Sequence, residues 1–124
     1  MKTFEDPKPA SHRMKQIDEL IFRSLSNIIR EEVELASGVF FTITKVITSK
    51  DLSLAKIFYI TQPEELHIQI INTIKKKHVA IIERLRDDIV IRKMPKILFI
   101  FDQKEVDALR IEEKIRLLNK ELKS

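Results

Sequence analysis

The chain has no cysteine, no tryptophan and a single glycine among its 124 residues. Without cysteine there are no disulfides, no thiolate nucleophile and no cysteine-ligated zinc. The glycine count excludes more. A phosphate-cradling P-loop, a GxGxxG dinucleotide turn and a GxSxG nucleophile elbow each need several glycines, because only glycine tolerates their backbone angles and close approaches. The GXXG clamp of a standard KH domain fails on the same count. Long apolar runs are also missing: the longest aliphatic or aromatic stretch is residues 97–101, far short of the roughly 20 residues a membrane-spanning helix needs. The N-terminus places Glu5, Asp6, Pro7 and Pro9 where a secretory signal would need an apolar core. A cytoplasmic protein without membrane contact is expected. His12, His67 and His78 show no HExxH spacing. The acids, Asp87-Asp88 included, are spread among Lys and Arg in helical patterns, where charge pairing and solubility explain them. The expectation is a non-enzyme with no catalytic residue, no metal and no cofactor.

What is present suits one α+β domain. Hydrophobic residues make up 44% and charged residues 34%, enough apolar content for a core at this length. Ser11 is a plausible N-cap for a first helix, in which Met14, Ile17, Ile21, Leu25 and Ile28 recur at spacings of three and four; the helix is expected to run to Leu35, with Gly38 as its left-handed C-cap. Residues 38–60 hold two segments rich in Phe, Ile, Val, Thr and Tyr around a polar centre of Ser49, Lys50, Asp51 and Ser53, which predicts a β-hairpin. Its strands do not alternate cleanly, and a bulge would account for that. Thr61-Gln62-Pro63-Glu64 has the form of a capping box opening a second helical stretch. On a helical wheel Ile70, Ile71, Ile74, Ile81, Ile82, Leu85 and Ile89 share one side, yet His78 sits at its centre and Val79 points away. Either His78 is a hydrogen-bonded core histidine or the helix breaks near Lys77 to Ala80. A third strand follows at residues 97–101. Ala108, Ile111, Ile115, Leu118 and Leu122 then mark an amphipathic C-terminal helix of about two heptads, too short to argue a coiled coil.

Charge is unevenly placed. Residues 75–96 hold eight Lys or Arg and three acids, a net of +5 against +4 for the whole chain, whereas residues 102–123 carry six of each sign. A local excess of this kind is expected of a phosphate-facing patch, and a solvated helix surface with a basic loop would show it as well. The candidates for contact with phosphates are Lys75, Lys76, Lys77, His78, Arg84, Arg86, Arg92 and Lys93, with the hairpin lysines Lys45, Lys50 and Lys56 as weaker ones. Phe40, Phe41, Phe58, Tyr59, Phe99 and Phe101 could stack on bases, but all lie in strands that need hydrophobic fill; core packing is the expectation, with Tyr59 the best exception because its hydroxyl needs a polar partner or solvent.

The order of these pieces resembles the ribosome-binding factor A family. Gly38-Val39-Phe40-Phe41-Thr42-Ile43-Thr44-Lys45-Val46 looks like its first strand, and Asp51-Leu52 with Ala55-Lys56-Ile57-Phe58 like its turn and second strand. Ile91-Arg92-Lys93-Met94-Pro95 is similar to its basic approach to the third strand, and Arg110-Ile111-Glu112-Glu113 to the start of its final helix. The resemblance implies a KH-like (type II) domain of order α-β-β-α-α-β, with an interhelical break, usually Ala-x-Gly, in place of the GXXG loop. Counted back from Pro95, that break falls at Lys77-His78-Val79, where this chain has neither the alanine nor the glycine. The division implied is a flexible tail over residues 1–10, the KH-like RNA-binding domain over residues 11–103 and an amphipathic helix or tail over residues 104–124. The resemblance further implies a monomeric assembly factor that binds immature 30S small ribosomal subunits and their 16S rRNA, assists maturation of the rRNA ends and is needed most in the cold. The residues alone leave open a basic α+β module that binds another protein. A DNA-binding winged helix is disfavoured, because the long helix follows the hairpin.

Overall fold

The computed structural model describes the backbone of residues 8–123. Its elements follow the expected order: α1 Lys8–Glu32, β1 Phe40–Thr48, β2 Leu54–Gln62, a 3-10 turn Glu64–Leu66, α2 His67–Lys75, α3 His78–Asp88, β3 Lys96–Phe101 and α4 Gln103–Lys123. The strands form one sheet in the order β1-β2-β3, antiparallel between β1 and β2 and parallel between β2 and β3. The parallel pair follows from the connection, since the chain returns to the same end of the sheet through α2 and α3. Among the described residues no helix is long and apolar enough to cross a membrane.

Packing is one-sided. Ile21, Leu25, Ile28 and Ile29 of α1, Ile70, Ile71 and Ile74 of α2, and Ile81 and Leu85 of α3 meet Ile43, Val46, Ala55, Ile57 and Tyr59 of the sheet in one buried cluster. Strand side chains alternate, so Lys45, Ile47, Lys56, Phe58 and Leu98 point to the other face. The expected bulge is present: Ile43 pairs with Tyr59 but Lys45 with Phe58, which leaves Thr44 as the extra residue. Without it, the alternation that buries Ile43 would expose Val46. The Thr44 hydroxyl donates to Asp102 Oδ2 at 2.6 Å, and Asp102 Oδ1 accepts from the Glu105 N–H, capping α4. Asp102 therefore joins the bulge to the last helix.

Local readings are corrected at four places. α1 begins at Lys8, with Pro9 in its first turn, so Ser11 is interior and not the cap; the rest of the expected tail, residues 1–7, lies outside the described residues. The helix ends at Glu32, and Gly38, at φ 82°, sits in a turn closed by the Val39 N–H on the Ala36 carbonyl. It serves the turn, six residues past the helix. Thr61 belongs to β2 and its hydroxyl donates to the Pro63 carbonyl, while no side chain caps the 3-10 turn or α2. The capping box is thus not formed. Tyr59, the expected exception, is buried, with its ring stacked on Phe41 at 5.2 Å and edge-on to Phe99 and Phe101. Burial raises its hydroxyl pKa above the usual value. The true exceptions are Phe40 and Phe58, which share the parity of Lys56 and face outward.

Candidate RNA-binding surface

The break between the two middle helices comes one residue earlier than expected, at Lys76 and Lys77. Lys76 keeps helical angles, but Lys77 turns to φ −98°, ψ 17°, and its N–H bonds back only three residues, to the Ile74 carbonyl at 3.0 Å. This tightened turn resets the phase. The side that would have carried His78 inward instead carries Ile81 and Leu85, and residues 75–79 become five successive exposed positions. The open question over His78 is settled in favour of the break. Val79 gains nothing from it, remaining 68% exposed.

No side chain caps α3, whose N-terminus opens directly onto Lys75, Lys76 and Lys77. Unpaired N–H groups and the positive end of the helix dipole thus adjoin three ammonium groups. None of the three lysines pairs with a carboxylate among the described residues. Arg86, Arg92 and Lys93 are likewise exposed and unpaired among the described residues. Arg92 and Lys93 occupy the loop before β3, at the end of the sheet that also carries Lys50, because Lys96 N–H donates to the Ser53 carbonyl at 2.9 Å. Lys45 and Lys56 lie on the outer sheet face, away from the helices.

Arg84 is placed differently. Its guanidinium meets Glu31 at 2.6 Å and Glu32 at 3.1 Å, tying α3 to the end of α1. Hydrogen bonding to Arg84 holds the Glu31 carboxyl below its usual pKa, and the arginine is raised in turn. The eleven candidates therefore fall into three groups and one ion pair. The outward, half-buried Phe58, with the Lys45 ammonium 4.8 Å from its ring centroid, was missed as a surface residue although its parity with Lys56 marks it.

The hairpin turn shows how the polar centre is held. Asp51 accepts from the Ser49 and Ser53 hydroxyls at 2.8 and 2.7 Å and from the Ser53 N–H, and these bonds, the Ser53 hydroxyl foremost, lower its pKa to about 2. The network holds Leu52 at φ 59°, a left-handed angle uncommon for leucine.

Residues 13–115 match the sequence model of the family described as Ribosome-binding factor A. Ribosome-binding factor A of Ruthia magnifica is 33% identical over 105 residues, covering 83% of this chain and 91% of that protein. Its counterpart from Vesicomyosocius okutanii is 32% identical over 109 residues, with 87% and 94% covered. The crystal structure of ribosome-binding factor A from Thermus thermophilus superposes with a TM-score of 0.60 at 17% identity, over 71% of this chain and 93% of that one; it supports the α+β, KH-like architecture. Fold and sequence agree, and the chain belongs to the ribosome-binding factor A family.

Proposed function

We propose that this protein is a ribosome assembly factor that binds immature small ribosomal subunits and assists 16S rRNA folding and end maturation by binding alone. It works in the cytoplasm, as a monomer, and matters most in the cold, where misfolded RNA is slowest to rearrange. Family membership supports the ribosomal role. The observation that carries the RNA contact is the uncapped N-terminus of α3 beside Lys75, Lys76 and Lys77, all exposed and none neutralised. Phosphate oxygens would accept from the free N–H groups while the lysines replace counterions. His78 and Arg86 lie on α3 behind the lysine turn, Arg92 and Lys93 supply a second basic group beside Lys50, and Arg84 serves indirectly by fixing α3 on α1.

The test is gradient sedimentation of the protein with small-subunit precursors and complete ribosomes across a salt series. Association should favour the precursors. If about five basic side chains meet phosphates, the slope of log affinity against log salt is roughly −3.5 to −4.5, or a loss of about a hundredfold or more from about 50 to about 200 mM. The triple variant K75E/K76E/K77E should bind at least about tenfold more weakly with its melting midpoint little changed, since exposed substitutions cost about 0.5 kcal/mol or less. Wild-type binding by that folded variant would remove the α2–α3 junction from the mechanism, and salt-insensitive binding would favour a protein partner.

A further inference from the structure

Opposite α1, α2 and α3, the sheet leaves Lys45, Ile47, Lys56 and Leu98 exposed among the described residues. Opposite the helices, Lys45 pairs with Phe58 and Phe58 with Ile100; one step along, Ile47 pairs with Lys56 and Lys56 with Leu98. Phe40 is 61% exposed, Ile47 46% and Leu98 43%, on a face that packs against none of α1, α2 or α3. Exposed apolar side chains in contiguous rows mark an interaction surface more often than a bare one.

Its charge identifies the ligand. Every outward position of the three strands is apolar, neutral polar or lysine, with Lys45, Lys56 and Lys96 contributing +3 and no acid among them. Lys56 is set between Ile47 and Leu98, and Lys45 lies over the Phe58 ring, so neither ammonium has a carboxylate partner on the sheet. A protein partner with an ordinary apolar patch would strip water from these ammonium groups without replacing it. Phosphates replace it. The apolar rows then need flat, weakly hydrated groups at the same spacing, and the bases of an unpaired strand supply them. An A-form duplex does not, because it offers phosphates and hydroxyls with its base faces stacked inside.

We infer that the open sheet face binds a single-stranded RNA segment, with Phe58 as a stacking platform and Lys45 and Lys56 as phosphate contacts, separately from the α2–α3 junction. The inference rests on the reading that the protein works on RNA, and it names the form of RNA that this second surface takes.

The full chain is titrated with a fluorescein-labelled, unstructured pyrimidine RNA of about ten nucleotides, within the site sizes known for such platforms, and with a duplex carrying the same number of phosphates. The single strand should bind more tightly. Phe58→Leu keeps an apolar side chain on a face outside the core but removes the ring, and should weaken strand binding about fivefold or more. The double variant K45Q/K56Q, at two exposed positions, should reduce the salt slope for the strand by about 1.4. Equal binding of strand and duplex, or wild-type strand binding by both variants, would overturn the inference.

In precursor particles, a benzophenone amino acid at Ile47 should crosslink to rRNA, and crosslinking to a ribosomal protein would assign the face to a protein partner instead. If the particles are not bound at all, the ribosomal reading fails while the oligonucleotide titration still decides the sheet face.

Discussion

In α3, Ile81 and Leu85 lie in the core, with Leu85 fully buried, whereas in α4 Ile111, Ile115 and Leu118, at the same spacing of three and four, are 58%, 53% and 58% exposed. The two helices carry similar apolar repeats and differ in what holds them. α3 is fixed by the chain at both ends and by Arg84 on Glu31 and Glu32. The first turns of α4 are held by the Asp102 cap, by buried Val106 and by the ion pair of Arg110 with Glu64. Ile115 comes nine residues after Val106, two and a half turns at about 3.6 residues per turn, so the apolar stripe points away from the anchored side. Periodicity reports that a helix has an apolar face. It does not report whether the fold has anything left to cover it.

The contrast is most directly broken by truncating one apolar side chain in each helix. Leu85→Ala leaves a cavity in the core and should cost roughly 2 to 5 kcal/mol, while Ile115→Ala on an exposed face should change stability by about 0.5 kcal/mol or less. Urea melts of the two variants measure the difference. Comparable losses would mean that α4 packs on the domain in solution.

Two shortened chains sharpen the same point. Ending the chain at residue 110 keeps Val106 and Arg110 and should move the melting midpoint by no more than about 4 °C. Ending it at residue 103 also removes Val106, 8% exposed, and should cost about 2 kcal/mol, although the domain should still unfold cooperatively. Loss of the cooperative transition in the longer of the two would place the exposed stripe of α4 in the core.

Where the sequence was legible, the pattern and the packing had the same period. α1, the hairpin and α3 could be read because their apolar residues recur at the spacing of the surface that buries them. The bulge was legible as a flaw in alternation, and the break between α2 and α3 as a phase slip at His78. Local side-chain chemistry was less faithful. Thr61 and Glu64 have the right types and spacing for a capping box, but β2 continues through Thr61, and the Glu64 carboxylate pairs with Arg110 from 46 residues away. Asp102 is the cap that this reading lacks, although Asp102-Gln103-Lys104-Glu105 has the same spacing of a capping residue to Glu and does cap its helix. The outward aromatics were legible by parity and were lost by grouping all strand rings together. The lysine turn at residues 75–77 and the Arg92-Lys93 loop fall into one patch by charge count, with the hairpin lysines apart, because proximity in sequence says nothing of the face each residue reaches.

The smallest effect is expected at the start of α3, where His78 and Val79 are as open to water as the stripe of α4. His78 is exposed and follows the tightened turn at Lys77, so its ring fills no cavity and its loss leaves no buried donor or acceptor. Alanine is the better helix former by roughly half a kcal/mol, which opposes whatever contact the ring makes. His78→Ala should therefore change stability by no more than about 0.5 kcal/mol in either direction, as measured by denaturant melts at neutral pH. A loss above about 2 kcal/mol would require a buried, hydrogen-bonded imidazole. The helix would then run unbroken through Lys76 and Lys77, and the exposed lysine turn on which the proposed RNA contact depends would not exist.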